Sequence, residues 1–237
     1  MENTNEAAKM KEAAGRAAVD ALVKPGMKLG LGTGSTAIFA IRRVAELLAD
    51  GTLHGISVFP TSFQTEIECE KLGIPCYTLN SAKLSGSLDL TIDGADEVGP
   101  ENFLTKGGGG ALLMEKIAAY SSALYAITVD ETKIAEHLGL NFPVPVEVIS
   151  EARLTAAKSI EKLGAEVILR EAVRKAGPVI TEHGNLIMDI RFSSPPEADV
   201  LETALNQIPG VVENGFFTRI RPIVFIARRD GTVEVRK

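Results

Sequence analysis

Four consecutive glycines, Gly107, Gly108, Gly109 and Gly110, stand near the middle of a 237-residue chain. Together they carry too much backbone freedom for a strand or a helix interior, so they must form a loop. Before them lies an apolar run at residues 88–92 that ends in Asp93; after them residues 111–120 have a helical pattern with Glu115 in the first turns. Residues 93–115, DGADEVGPENFLTKGGGGALLME, therefore gather two carboxylates, a lysine, exposed loop amides and a helical glutamate. Asp93 should emerge at the carboxyl end of its strand, the edge at which parallel α/β sheets bind ligands. Such a set suits moving a proton beside a carbonyl while an anion is stabilised nearby.

The surrounding pattern fixes the fold class. Apolar strands at residues 27–31, 55–59, 74–79, 88–92 and 124–129 alternate with helices at 37–49, 62–72 and 111–120. This is the signature of a parallel sheet covered on both faces. In NFPVPVEV two prolines break the pattern and mark a domain junction. Strand 146–149, helix 151–163, strand 165–170, a hairpin turning at 181–185, helix 196–208 and a further strand then approximate a ferredoxin-like split βαβ unit. A hairpin at 223–227 and 233–235 ends the chain, and periodicity leaves open which domain it completes. The expected architecture is α/β, a Rossmann-like, mostly parallel sheet domain with a second, smaller ferredoxin-like α+β domain.

Composition excludes several classes. A net charge of −6 gives no basic face for nucleic acid but leaves room for a few lysines around one phosphate. No apolar stretch is long enough to span a membrane, and the polar start MENTNEAAKMKEAAG lacks a signal peptide's apolar core, so a cytoplasmic protein is expected. Cys69 and Cys76 are expected as buried thiols in that compartment. His54, His137 and His183 are scattered without ligand spacing, so no metal site is expected.

Each remaining motif has two readings. In Gly30-Leu31-Gly32-Thr33-Gly34-Ser35-Thr36, between a strand and a helix, the helix amino terminus and the hydroxyls suit a phosphate. The loop has no lysine where a P-loop needs one and Ser35 where a dinucleotide loop needs glycine. The plain alternative is a βα turn with Ser35 or Thr36 as N-cap. Asp93-Gly94-Ala95-Asp96 presents two carboxylates to one ligand or is an Asx-turn. Lys106 and Lys133 are anion contacts or solvated loop lysines, and Glu115 is a base or an exposed helix acid.

GTGST, PTS at residues 60–62, DGADE, KGGGGALLMEK and DETK, in that order and followed by NFPVPVEV and NQIPGVV, closely resemble the type A ribose-5-phosphate isomerase family. The resemblance covers nearly the whole chain. It implies interconversion of D-ribose 5-phosphate and D-ribulose 5-phosphate through an enediolate, in the non-oxidative pentose phosphate pathway, with no metal or organic cofactor. By motif it implies Glu115 as the base between C2 and C1, and Asp93 in ring opening and proton traffic on oxygen. Asp96 would hold substrate hydroxyls, while Lys106 with amides of Gly107, Gly108 and Gly109 would stabilise the enediolate. Thr33, Gly34, Ser35, Thr36, Gly94, Ala95 and Lys133 would line the substrate site, Ser35, Thr36 and Lys133 near the phosphate, with Lys11 as a further phosphate contact. Met114 departs from the family, which often carries arginine there. The resemblance also implies a catalytic domain of residues 1–145 plus 214–237, a small domain of 146–213, and a homodimer or homotetramer. The competing readings are a non-catalytic sugar-phosphate sensor and an isomerase or deaminase of a six-carbon amino-sugar phosphate.

Overall fold

The computed structural model describes residues 2–237, with side chains from residue 6 onward. In chain order the first elements are α1 (Glu2–Leu22), β1 (Lys28–Leu31), α2 (Ala37–Ala49), β2 (Ser57–Pro60), α3 (Phe63–Lys71) and β3 (Leu88–Asp93). Next come β4 (Glu97–Val98), β5 (Leu104–Thr105), α4 (Leu112–Tyr120), β6 (Ser122–Asp130), β7 (Val144–Val148), α5 (Arg153–Glu161) and β8 (Ala165–Leu169). The chain ends with β9 (Leu186–Phe192), α6 (Ala198–Asn206), β10 (Val211–Asn214), β11 (Phe216–Phe217), β12 (Ile223–Ala227) and β13 (Val233–Arg236).

The chain divides into two compact units. The first holds the chain as far as Ala95, Met114–Lys133 and Ile220–Lys237; the second holds Asp96–Leu113 and Ile134–Arg219. This differs from a division at residues 145/146 and 213/214. The β4–β5 hairpin pairs with β11, and Val98 bridges to Ile134, so residues well before the prolines belong to the second unit.

The first unit is a six-stranded sheet in the order β13-β12-β6-β3-β1-β2, parallel except for the terminal hairpin strand β13. Strand order reverses between β1 and β3, so their carboxyl ends frame the crevice in which such sheets bind ligands. Leu29 and Leu31 pair in register with Leu90 and Ile92, and these four pack with Ala18 and Val19 of α1 and Ala40, Ile41 and Val44 of α2. Because side chains alternate along a strand, Thr91 and Asp93 point to the other face. Helix α4 meets that face, where Thr91 Oγ1 donates to the Ala118 carbonyl at 3.4 Å. Helix α1 was not anticipated. Its buried side is built from Ala14, Ala18 and Val19, small residues that make little periodic signal. The expected strand at 74–79 reduces to one bridge, Val58 to Cys76.

In the second unit β7, β8, β9 and β10 form an antiparallel sheet in the order β10-β7-β9-β8, and with α5 after β7 and α6 after β9 this is the ferredoxin-like arrangement. Its core holds Val144, Val146, Val148, Ile160, Met188, Ile190 and Leu205. Strand β7 runs through Pro145 rather than starting after it. Pro145 lies near the strand's start, where a missing N–H is tolerated, and its carbonyl accepts from Gly215 N–H at 2.7 Å. Among the described residues no helix is long and apolar enough to cross a membrane.

Candidate active site

In the first unit, Asp93 ends β3 fully buried. Its Oδ1 accepts the N–H groups of Thr33 (3.2 Å) and Gly94 (2.7 Å), and its carbonyl accepts from Thr128 Oγ1 at 3.2 Å. The turn after β1 therefore fixes this carboxylate. That closeness explains Gly32: a Cβ there would lie 1.9 Å from Asp93 Oδ1. Glu115, in the first turn of α4, is only 5 % exposed, which removes the reading of a solvated helix acid. Met114 beside it packs against Phe59, Leu84, Leu88 and Ala118, so this departure is an apolar contact.

Tyr125 on β6 reports on both acids. Its side chain is buried, its hydroxyl has no hydrogen-bond partner among the described residues, and it pairs in register with Thr91, on the face that carries Asp93. Burial holds this phenol protonated well above the ordinary tyrosine range, and the negative charges of Asp93 and Glu115 push it further. Two carboxylates thus act on one enclosed hydroxyl. Sequence reasoning missed Tyr125 because it reads as an ordinary core aromatic.

The Gly30–Thr36 segment divides by role. Thr33 Oγ1 donates to Ser62 Oγ at 2.6 Å and lies 2.8 Å from Thr61 Oγ1, while Thr65 Oγ1 donates to the Gly32 carbonyl at 2.7 Å. Ser62 in turn caps α3 by accepting Thr65 N–H at 3.2 Å. This hydroxyl cluster binds the PTS motif to the loop, and Thr33 serves it with its hydroxyl while its N–H goes to Asp93. Gly34 takes the left-handed φ of +101° that the turn needs. Thr36 occupies the N-cap position of α2, as the plain reading has it, but without a side-chain cap bond. Exposed Ser35 instead receives Lys11 Nζ from α1 at 2.9 Å on its hydroxyl. Lys133 ends a short 3-10 turn, half-buried, and the turn is held by Asp130 accepting the Thr132 N–H at 3.0 Å.

In the second unit, Asp96 follows half-buried Gly94 and Ala95 and accepts the Gly108 N–H on Oδ2 at 2.7 Å. Lys106 is 2 % exposed; its N–H donates to the Gly215 carbonyl and its ammonium lies 5.7 Å from the centre of the Phe217 ring. It is therefore no solvated loop lysine. Gly107 and Gly110 have left-handed φ of +97° and +83°, whereas a Cβ on Gly109 would meet no atom within 4 Å. Arg170, absent from the expected set, donates to the carbonyls of both Gly107 (3.0 Å) and Gly108 (3.1 Å). No group of three or more His, Cys, Asp or Glu among the described residues is disposed to hold a metal ion.

Residues 57–231 match the profile of ribose 5-phosphate isomerase A (phosphoriboisomerase A). The chain belongs to that family. It is 51 % identical over 236 residues to ribose-5-phosphate isomerase A of Treponema denticola, covering 97 % of this chain and 99 % of the relative. A solved D-ribose-5-phosphate isomerase in complex with phospho-erythronic acid superposes with a TM-score of 0.91 at 38 % identity, covering 96 % of this chain and 97 % of that one. The isomerase of Methanocaldococcus jannaschii gives 0.89 at 40 % identity, covering 96 % and 98 %. The chain is thus an aldose–ketose isomerase interconverting ribose 5-phosphate and ribulose 5-phosphate, and the sensor and amino-sugar readings fall away.

Proposed function

We propose that Glu115 is the base of this isomerisation. It takes the proton from C2 of the open-chain aldose; the C–H electron pair becomes the C1–C2 double bond and O1 becomes an oxyanion. Transfer of the O2 proton to O1 and return of the proton from Glu115 to C1 then yield the ketose, with a C1 hydroxyl and a C2 carbonyl. Asp93 opens the sugar ring and carries protons on oxygen, and Asp96 holds substrate hydroxyls. Lys106 with the amides of Gly107, Gly108 and Gly109 stabilises the enediolate. Lys11, Ser35, Thr36, Lys133 and the amino terminus of α2 take the phosphate, lined by Thr33, Gly34, Gly94 and Ala95.

The observation that carries this reading is the burial of Glu115 in the first turn of α4, 5 % exposed, in the unit that also buries Asp93 at the end of β3. A positioned base accounts for about 10²- to 10⁴-fold in rate. That falls short of typical enzyme accelerations, so a fixed oxyanion donor worth about 3–4 kcal/mol is required beside it. Buried Lys106 supplies a charge of the right sign. Gly109, with space around its Cα, supports a glycine amide open to a ligand's approach. Phospho-erythronic acid, bound by the solved relative, carries a phosphate and a carboxylate, the two anionic features these residues suit. We assign no metal or organic cofactor to the reaction.

Free Cys69 (buried) and Cys76 (only partly buried, a difference from expectation) accord with a reducing cytoplasm. Exposed Phe63 and Ile67, one turn apart on α3, support assembly as a homodimer or homotetramer, which light scattering of the purified protein measures.

The test of the base is Glu115→Gln in a coupled assay without added metal. The reading expects turnover to fall by about 10²- to 10⁴-fold with substrate affinity kept. Near wild-type turnover at full occupancy would remove Glu115 from the role.

A further inference from the structure

Arg170 follows β8 in the second unit and is mostly buried together with Asp189 of β9. Its Nε donates to Asp189 Oδ2 at 2.8 Å and Nη2 to Oδ1, a two-pronged pair that fixes the plane of the guanidinium. The remaining edge, Nη1, donates to the carbonyls of Gly107 and Gly108, at 3.0 and 3.1 Å.

The consequence is geometric. In a trans peptide the carbonyl and the following N–H point in opposite directions, and the described residues contain no cis bond. Two carbonyls turned toward Arg170 therefore turn the N–H groups of Gly108 and Gly109 away from it. The first is seen to do so, since Gly108 N–H meets Asp96 Oδ2 at 2.7 Å. Successive glycines would otherwise rotate more freely than any other residues. The ion pair with Asp189 holds the guanidinium, and the guanidinium holds the loop.

We propose that Arg170 is a positioning residue for the isomerisation: braced by Asp189, it turns the Gly108 amide onto Asp96 and the Gly109 amide toward the anion formed during turnover. This rests on the reading above that the Lys106–Gly109 segment stabilises the enediolate. Arg170 itself touches no reacting atom. A fork is required, because a lysine has one point of charge and cannot serve Asp189 and two carbonyls in one plane.

The experiment compares Arg170→Lys, Arg170→Ala and Lys106→Ala, each checked for thermal melting. Phospho-erythronic acid, the molecule bound by the solved relative, is added to each as a probe of competition with substrate. Arg170→Lys is expected to lower kcat by roughly 10- to 10²-fold, the cost of a small misplacement, with the KM for ribose 5-phosphate little changed. Inhibition should weaken in parallel with kcat. In Arg170→Ala, added methylguanidinium should recover part of kcat, which a merely structural role would not give. A folded Arg170→Lys with wild-type kcat and inhibition overturns the proposal, as does failure of methylguanidinium to restore any rate to a folded Arg170→Ala. If Lys106→Ala is slowed while folded Arg170 variants are not, only Arg170 loses its role. If Lys106→Ala keeps the wild-type rate, the reading of the glycine segment itself fails and the proposal with it.

Discussion

The chain has two glycine-rich loops, and they use glycine for different physical reasons. In the loop after β1, Gly32 makes room: the Asp93 carboxylate occupies the space in which a side chain would begin. In the loop before α4, Gly107 and Gly110 supply left-handed backbone, and Arg170 then restrains what glycine leaves loose. The first loop is held by its close approach to Asp93; the second is shaped by φ and tied from outside. Similar letters in a sequence thus mark a close approach in one place and a held turn in the other.

The largest effect should come from filling the first loop. Gly32→Ala forces Asp93 to move and is expected to lower kcat by about 10²-fold or more, the range for displacing an acid–base group. The coupled assay measures it, and a wild-type rate would mean that the position of Asp93 is not critical. The second loop separates fold from chemistry. Gly110→Ala, at φ +83°, should destabilise by about 1–2 kcal/mol in urea unfolding. Gly109→Ala, with no protein atom in the way, should stay within about 0.5 kcal/mol of wild type, yet lose roughly 10-fold in kcat/KM by crowding the substrate. Equal losses of stability in the two variants would erase the distinction.

A smaller contrast lies in the caps. Ser62→Ala removes the bond to Thr65 N–H and should cost about 1 kcal/mol, whereas Thr36→Ala removes no cap bond and should leave stability nearly unchanged while raising KM. The smallest effect concerns pH. Tyr125 keeps its proton in the folded state above the ordinary value of 10.0. Above that pH the unfolded chain releases this proton and the folded chain does not, so this phenol lowers stability as pH rises. Tyr125→Phe should flatten the alkaline limb of a stability–pH curve, and an unchanged limb would mean that this phenol titrates normally.

Much of this was legible before any coordinates. Apolar run 88–92 ending in aspartate locates Asp93, and alternation of strands and helices implies the parallel sheet. What was not legible has local causes. Helix α1 buries alanines, which give no strong period. Pro145 lies in a strand because its carbonyl, not its missing N–H, is what Gly215 uses. Two-residue strands β4, β5 and β11 are too short for any pattern, yet they set the division into units. Arg170 was invisible because its partners lie 19 residues ahead and more than 60 behind, brought together only by folding. Tyr125 matters through what surrounds its hydroxyl, which no spacing encodes.

The central claim is that the Glu115 carboxylate reaches the hydrogen that migrates between neighbouring carbons. A crystal structure of Glu115→Gln with ribose 5-phosphate bound in open-chain form tests it most directly. The account expects the side-chain amide of residue 115 within about 3–3.5 Å of C1 and C2. A side chain turned from the sugar, with another acid seated at those carbons, would contradict it.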